Sequence, residues 1–178
     1  MVTSLGLDPG THGGMALICD GNLEFVMELN KHSTARILQA MRDFKKCWPN
    51  LPVFMEGVHA RKGDTPKTAG GLMYARGWLD CCLSFADIDD AEKIDPQVWQ
   101  REFSLGGMES YAARKSAAWE QAKAEFPGVK ILKPAADSVL LALYGFRKQT
   151  NALKPKTIHD GVKRGAGLIE STEFRRRD

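Results

Sequence analysis

The chain has 178 residues, 43% of them hydrophobic and 26% charged, which supplies apolar material for one compact core and excludes a chain that stays unfolded. Its formal charge of +3 permits an anionic partner without demanding one, because runs such as Arg61-Lys62, Lys163-Arg164 and Arg175-Arg176-Arg177 also suit a solvated face. Cys19, Cys47, Cys81 and Cys82 form no CxxC pair, no apolar run reaches transmembrane length and no signal-like leader precedes the first strand, so a soluble, cytoplasmic protein without a zinc knuckle or disulfide scaffold is expected.

Val2 to Leu7 reads as a strand stopped by Asp8-Pro9-Gly10, and Gly13 to Cys19 as a second strand after a glycine-rich turn. Asp20-Gly21-Asn22 is a hairpin signal leading into a third strand, Leu23 to Leu29, so the chain opens as an antiparallel meander. Ser33 to Cys47 follows as an amphipathic helix, with Ile37, Leu38, Met41 and Phe44 at helical spacing and Ser33 or Thr34 as its cap. Pro49 and Pro52 frame a break, after which Val53-Phe54-Met55 forms a short strand that delivers Glu56 at its end. A polar loop from His59 to Lys67 leads into a helix reaching Ser84, on which Leu72, Ala75, Leu79 and Cys82 recur. Gly70, Gly71 and Gly77 weaken that helix intrinsically and predict close packing against a neighbour.

Ala91 to Ile94 is the next strand, and Pro96 opens a short helix carrying Val98 and Trp99 that ends by Gly106-Gly107. Ser110 to Phe126 is a helix closed by Pro127-Gly128. Val129 to Leu132 reads as a further small strand, and Pro134 as the first-turn residue of a helix through Asp137 to about Phe146, with Val139, Leu140, Leu143 and Phe146 on one stripe. Beyond Lys148 the pattern weakens. The expected organisation is one α/β domain over residues 1–148, a mixed five-stranded sheet flanked by helices, followed by a basic C-terminal extension over 149–178.

Three carboxylates carry the chemistry. Asp8 and Glu56 each stand where an apolar strand gives way to a polar turn, positions that can converge on one sheet edge, and Asp137 sits in the first turns of the last core helix. Gathered carboxylates repel one another unless a cation lies among them, and hard oxygen ligands select Mg²⁺ or Mn²⁺. Two such ions about 4 Å apart could hold a scissile phosphate, activate a water and stabilise the leaving 3′ oxygen, with the carboxylates positioning metal rather than attacking phosphorus. Two of these acids also have a structural use: Asp8 as the cap of its Asp-Pro-Gly turn, Asp137 as a partner of its helix dipole. The turn Gly10-Thr11-His12-Gly13-Gly14 lacks the GxxxxGK[ST] pattern and is not a P-loop.

Gly6-Leu7-Asp8-Pro9-Gly10, the strand-ending Glu56 and Ala136-Asp137-Ser138-Val139-Leu140-Leu141-Ala142-Leu143 resemble the RuvC family of Holliday junction resolvases. The likeness is nearest to its bacteriophage-type members, to which Pro96-Gln97-Val98-Trp99-Gln100, the helix containing Lys115, Phe126-Pro127 and Ala142-Leu143-Tyr144-Gly145 are also similar, and it runs over roughly residues 3–147. The resemblance implies an RNase H-like fold of the retroviral integrase superfamily, a homodimer, and Mg²⁺- or Mn²⁺-dependent endonuclease activity. Paired hydrolysis across a four-way DNA junction would serve recombination and repair, in the host cytoplasm for a phage-encoded enzyme. On it, Asp8, Glu56 and Asp137 are the catalytic metal ligands.

Many members carry an acidic residue or histidine three positions before the last aspartate, whereas this chain has Pro134, which cannot ligate through its side chain. Glu125 or His12 could substitute from another segment, or the enzyme is slow or impaired. Arg61, Lys62 and Lys67, in the stretch after Glu56, and Lys133 are the implied phosphate contacts, which would give salt-sensitive affinity with little base reading. Met73, Tyr74 and Trp78 belong to a dimer seam, to strand opening or to the core, and the glycine-bearing helix is either the dimer interface or packed on its own sheet. The competing functions are a broader nuclease acting on flaps, three-way branches or forks, and a catalytically weak junction-binding protein. An actin-like ATPase lobe, suggested by Asp8-Pro9-Gly10-Thr11, would need a longer chain for two lobes.

Overall fold

Side-chain alternation along the first strand decides how the molecule is layered. In the computed structural model, which describes residues 1–10, 12–57, 65–88 and 91–151, the chain runs β1 (Thr3–Leu7), β2 (Gly14–Cys19), β3 (Asn22–Glu28), α1 (Thr34–Cys47) and β4 (Val53–Glu56). It continues through α2 (Pro66–Phe85), β5 (Glu92–Ile94), α3 (Pro96–Glu102), α4 (Tyr111–Glu125) and α5 (Ala136–Gln149). The strands form one sheet in the order β3-β2-β1-β4-β5, antiparallel among the first three and parallel where β4 joins β1 and β5 joins β4. Asp20 and Gly21, at φ 47 and 86, make the left-handed two-residue turn that joins β2 to β3.

Leu5 and Leu7 of β1 point with Met15, Leu17, Val53 and Met55 into one core, shared with Ile37 and Met41 of α1 and Leu79 and Leu83 of α2. The residues between them face the other way. Ala16, Ile18 and Phe54 join a second core with Trp99, Ala118, Ala122 and the whole middle of α5. Helix α5 is buried over ten consecutive residues, Ala136 to Gly145, and rests directly on the sheet. Glycine makes that approach possible: a methyl group on Gly6 would collide with the carbonyl oxygen of Ser138 and the amide nitrogen of Ala142, and one on Gly145 with the ring of Phe54. The result is the mixed five-stranded α/β sheet flanked by helices, an RNase H-like architecture.

Two expectations fail. Val129 to Leu132 is not a strand: it follows a left-handed Gly128 at φ 86, and the carbonyl of Ile131 accepts from Trp119 Nε1 at 2.8 Å instead of from a neighbouring strand. Val129 and Leu132 are exposed, and only Ile131 of the run's apolar residues enters the core. Nor do the α2 glycines mark close packing within the domain. A side chain at Gly70, Gly71 or Gly77 would meet nothing within 4 Å among the described residues. Helix α2 also begins before Lys67, because Thr65 accepts from the Thr68 amide at 3.2 Å and Pro66 takes the first helical position.

Candidate metal centre

The alternation that turns Gly6 toward α5 carries Asp8 to the same face one step past the end of β1, and on β4 it does the same for Phe54 and Glu56. The parallel register sets Gly6 beside Phe54 and Leu7 beside Met55, so the next step brings Asp8 alongside Glu56. Helix α5 crosses Gly6 at Ser138, and its first-turn Asp137 arrives at the same point. Asp8, Glu56 and Asp137 each offer one carboxylate oxygen within 4.8 Å of the others. Asp8 and Asp137 are buried and Glu56 is half-buried.

Two cations from α4 reach into this cluster. Arg114 Nη1 donates to Asp137 Oδ2 at 3.0 Å, and Lys115 Nζ donates to the same oxygen at 2.8 Å and to Asp8 Oδ2 at 3.5 Å. Asp8 Oδ1 accepts from the Gly10 amide at 2.9 Å. Asp137 Oδ1, by contrast, is buried and has no partner among the described residues. Ser110 caps α4 by accepting from the Ala113 amide at 3.1 Å, and the Tyr111 ring lies 5.2 Å from the Arg114 guanidinium carbon and 5.7 Å from Lys115 Nζ.

The electrostatics follow from burying like charges together. Burial pushes the Asp8 carboxyl above its usual range, with Lys115 opposing and Asp137 adding to the rise. Burial, then the charges of Asp8 and Asp137, push Glu56 up to about 8. For Lys115, burial acts downward but the carboxylates of Asp8 and Asp137 outweigh it, and its ammonium is held above the ordinary lysine range. Arg114 is raised in the same way, Asp137 prevailing over burial. Burial and mutual repulsion thus work against ionisation of Asp8 and Glu56, while the carboxylates around Lys115 favour its protonated form.

The donor set fits a hard divalent ion. All three groups present oxygen, and a buried carboxylate oxygen without a donor is costly unless a cation reaches it. Asp8, Glu56 and Asp137 thus form a candidate acidic metal-binding cluster. It lies in a cleft of about 1360 Å³ that also touches Thr68 and Leu72 of α2, Gln97, Gln100 and Arg101 of α3, and the start of α4.

Lys133 lines the cleft, its Nζ donating to Ser116 Oγ at 2.7 Å, and Pro134 lines it without a ligating side-chain atom. Lys67 is exposed in the first turn of α2 and does not line the cleft, while Arg61 and Lys62 lie outside the described residues. His12 lines the cleft with Nδ1 paired to Asn30 Nδ2 at 2.9 Å. Glu125 cannot replace the ligand missing at Pro134, because both its oxygens are taken by Arg147 Nη2 at 2.9 Å. Met73 and Tyr74 are exposed on α2, and Trp78 packs partly buried against the core on the α1 side.

Arg114 and Lys115 are the site residues that sequence reasoning missed. A signal was present: cations in the early turns of a helix oppose its dipole, so two in succession after the Ser110 cap ask for a compensating negative partner.

No family model matches the sequence, and neither does any curated protein. The fold is similar to two solved structures of Thermus thermophilus RuvC. One, in complex with a Holliday junction substrate, matches with a TM-score of 0.58 at 15% identity, covering 86% of this chain and 99% of that one. The other matches with a TM-score of 0.54 at 16% identity and the same coverage. The likeness is one of fold, an RNase H-like fold distantly related to that of RuvC-type resolvases. Among the described residues no helix is long and apolar enough to cross a membrane.

Proposed function

We propose that this protein is a divalent-metal-dependent endonuclease that resolves four-way DNA junctions. The observation that carries the reading is the meeting of Asp8, Glu56 and Asp137 within 4.8 Å at a broad cleft, with a buried carboxylate oxygen left unpartnered. Asp8, Glu56 and Asp137 would hold an Mg²⁺ or Mn²⁺ ion, which when bound would supply neutralisation of the scissile phosphate and activation of a water for in-line attack. Asp8 and Glu56 hold their positions because the strand register fixes them, and Asp137 because α5 cannot slide on Gly6. Lys133 and Arg101 place positive charge along the cleft, where they can neutralise neighbouring phosphates without reading bases. The basic extension over 149–178 would add sequence-independent affinity of the same kind.

Paired cuts call for two related active sites, which a twofold homodimer provides. The outward face of α2 is the proposed seam: Gly70, Gly71 and Gly77 leave it open to close approach, and Met73 and Tyr74 expose apolar surface beside them. A Tyr74→Glu variant is expected to shift the protein toward monomer in light scattering, and an unchanged mass would move the seam elsewhere.

The deciding assay compares a synthetic immobile four-way junction with flap and duplex DNA, each with Mg²⁺, Mn²⁺ and chelator. Symmetric ion-dependent nicks on the junction are expected. Asp8→Asn and Glu56→Gln should each lose at least about 100-fold in rate, more than the loss of an outer-shell partner, while junction binding persists. Equal cutting of all three substrates would replace the resolvase reading with a broader branched-DNA nuclease. Junction binding without any scission would favour the catalytically weak alternative, to which Pro134 in the cleft lends support.

A further inference from the structure

The position between Asp8 and Asp137 is already filled by a cation of the protein itself. Lys115 Nζ spans the two carboxylates, 2.8 Å from Asp137 Oδ2 and 3.5 Å from Asp8 Oδ2, and Arg114 takes the same Asp137 oxygen at 3.0 Å. Both side chains are largely buried, so neither contact is a loose surface pair. What remains open to an incoming ion is different: among the described residues, Asp137 Oδ1 is buried and unpartnered, and Glu56 makes neither a hydrogen bond nor an ion pair. The charge count agrees. Three carboxylates against Arg114 and Lys115 leave one formal negative charge, which one divalent ion more than neutralises; a second would stand against that ion and the ammonium at once.

We infer that the centre takes one divalent ion, centred on Glu56 and the free Oδ1 of Asp137, with Asp8 completing the set through the carboxylate it shares with Lys115, and that the Lys115 ammonium is a permanent second cation in place of a second metal. The inference deepens the proposed nuclease reading, since it assigns how that site would be charged. Pro134 fits it, because a side chain that cannot ligate is no loss where no second ion has to be bound. Lys115 would also face a phosphate brought to the cluster, offering a proton-bearing charge at a fixed point where a mobile ion would otherwise have to be recruited.

The test is Mn²⁺ titration of the full chain, followed by calorimetry and by loss of the free-ion electron spin resonance signal, with no DNA present. The wild type is expected to bind one Mn²⁺ per chain. Lys115→Met, with its melting profile checked for folding, is expected to bind a second ion or to bind the first roughly tenfold tighter or more, because a competing charge has left the cluster. Lys115→Arg keeps the charge and should keep the single-ion stoichiometry. Two Mn²⁺ ions per chain in the wild type, none, or an unchanged stoichiometry and affinity in Lys115→Met would each overturn the inference; the wild-type result stands even if the variant fails to fold. Failure of the nuclease reading looks different: one ion bound, tightened by Lys115→Met, with no cleavage of any branched DNA.

Discussion

Helices α5 and α2 line opposite faces of the same sheet and both contain glycine, yet glycine has opposite consequences in them. In α5, Gly145 lies against Phe54, and across from it Gly6 of β1 lies against the backbone of α5 itself. In α2, Gly70, Gly71 and Gly77 face open space. The first arrangement pins a helix whose first turn carries Asp137, so the precision of the acidic cluster derives from backbone contact. The second leaves a helix with reduced intrinsic stability and an uncovered outer surface, the kind of surface another chain can approach. One face of the sheet is organised for position, and the other leaves its helix uncovered among the described residues.

The sharpest way to break that comparison is Gly6→Ala. Because the added methyl meets backbone atoms of α5 rather than a flexible side-chain end, the loss is expected to be about 3 kcal/mol or more, seen as a large fall in the melting temperature or as insoluble protein. A variant that melts like the wild type would show that α5 is free to move and that Asp137 is not held by this contact.

A smaller effect should follow pH. Glu56 in the folded, metal-free protein keeps its proton up to about 8, whereas the unfolded chain releases it near 4.5. Between those values unfolding releases a proton, so stability falls as pH rises through the window and levels off above it. The melting temperature of metal-free protein should therefore drop by several degrees from pH 5 to 8. Glu56→Gln should flatten the profile, and Mg²⁺ should restore stability at pH 8 in the wild type but less so in the variant. A profile that rises with pH across this interval would contradict burial of the acidic cluster.

The smallest expected effect has the opposite sign to the first. Gly77→Ala, on the open side, should stabilise the isolated chain by about 0.5–1 kcal/mol, because alanine loses less backbone freedom and meets nothing. If α2 is the dimer seam, the same methyl should weaken association in sedimentation experiments. Stabilisation with unaltered association would remove Gly77 from the seam.

Much of this was legible in the chain itself. Ser33 and Ser110 cap α1 and α4, Pro96 opens α3, and Asp20-Gly21 turns the first hairpin, since caps and turns are decided by a few adjacent residues. Asp8 and Glu56 were recognisable as strand-end acids and Asp137 as a first-turn acid. Val129 to Leu132 misled because a short apolar run carries no information about whether a strand lies within pairing distance, and here Trp119 takes the Ile131 carbonyl. Glu125 misled because an acid's partner is set by what packs beside it, and Arg147 comes from another helix.

Local chemistry in the sequence determined where strands end, where helices begin and which residues can bear negative charge, because those properties depend on neighbours a few positions away. Tertiary structure alone decided that Arg114 and Lys115 enter the acidic cluster, that one oxygen of Asp137 is left without a partner, and that glycines of identical appearance are required in one place and unconfined in another. Each of these depends on contacts between segments separated by tens of residues. Such contacts arise when β1, β4, α4 and α5 pack together, and no short window of sequence contains them.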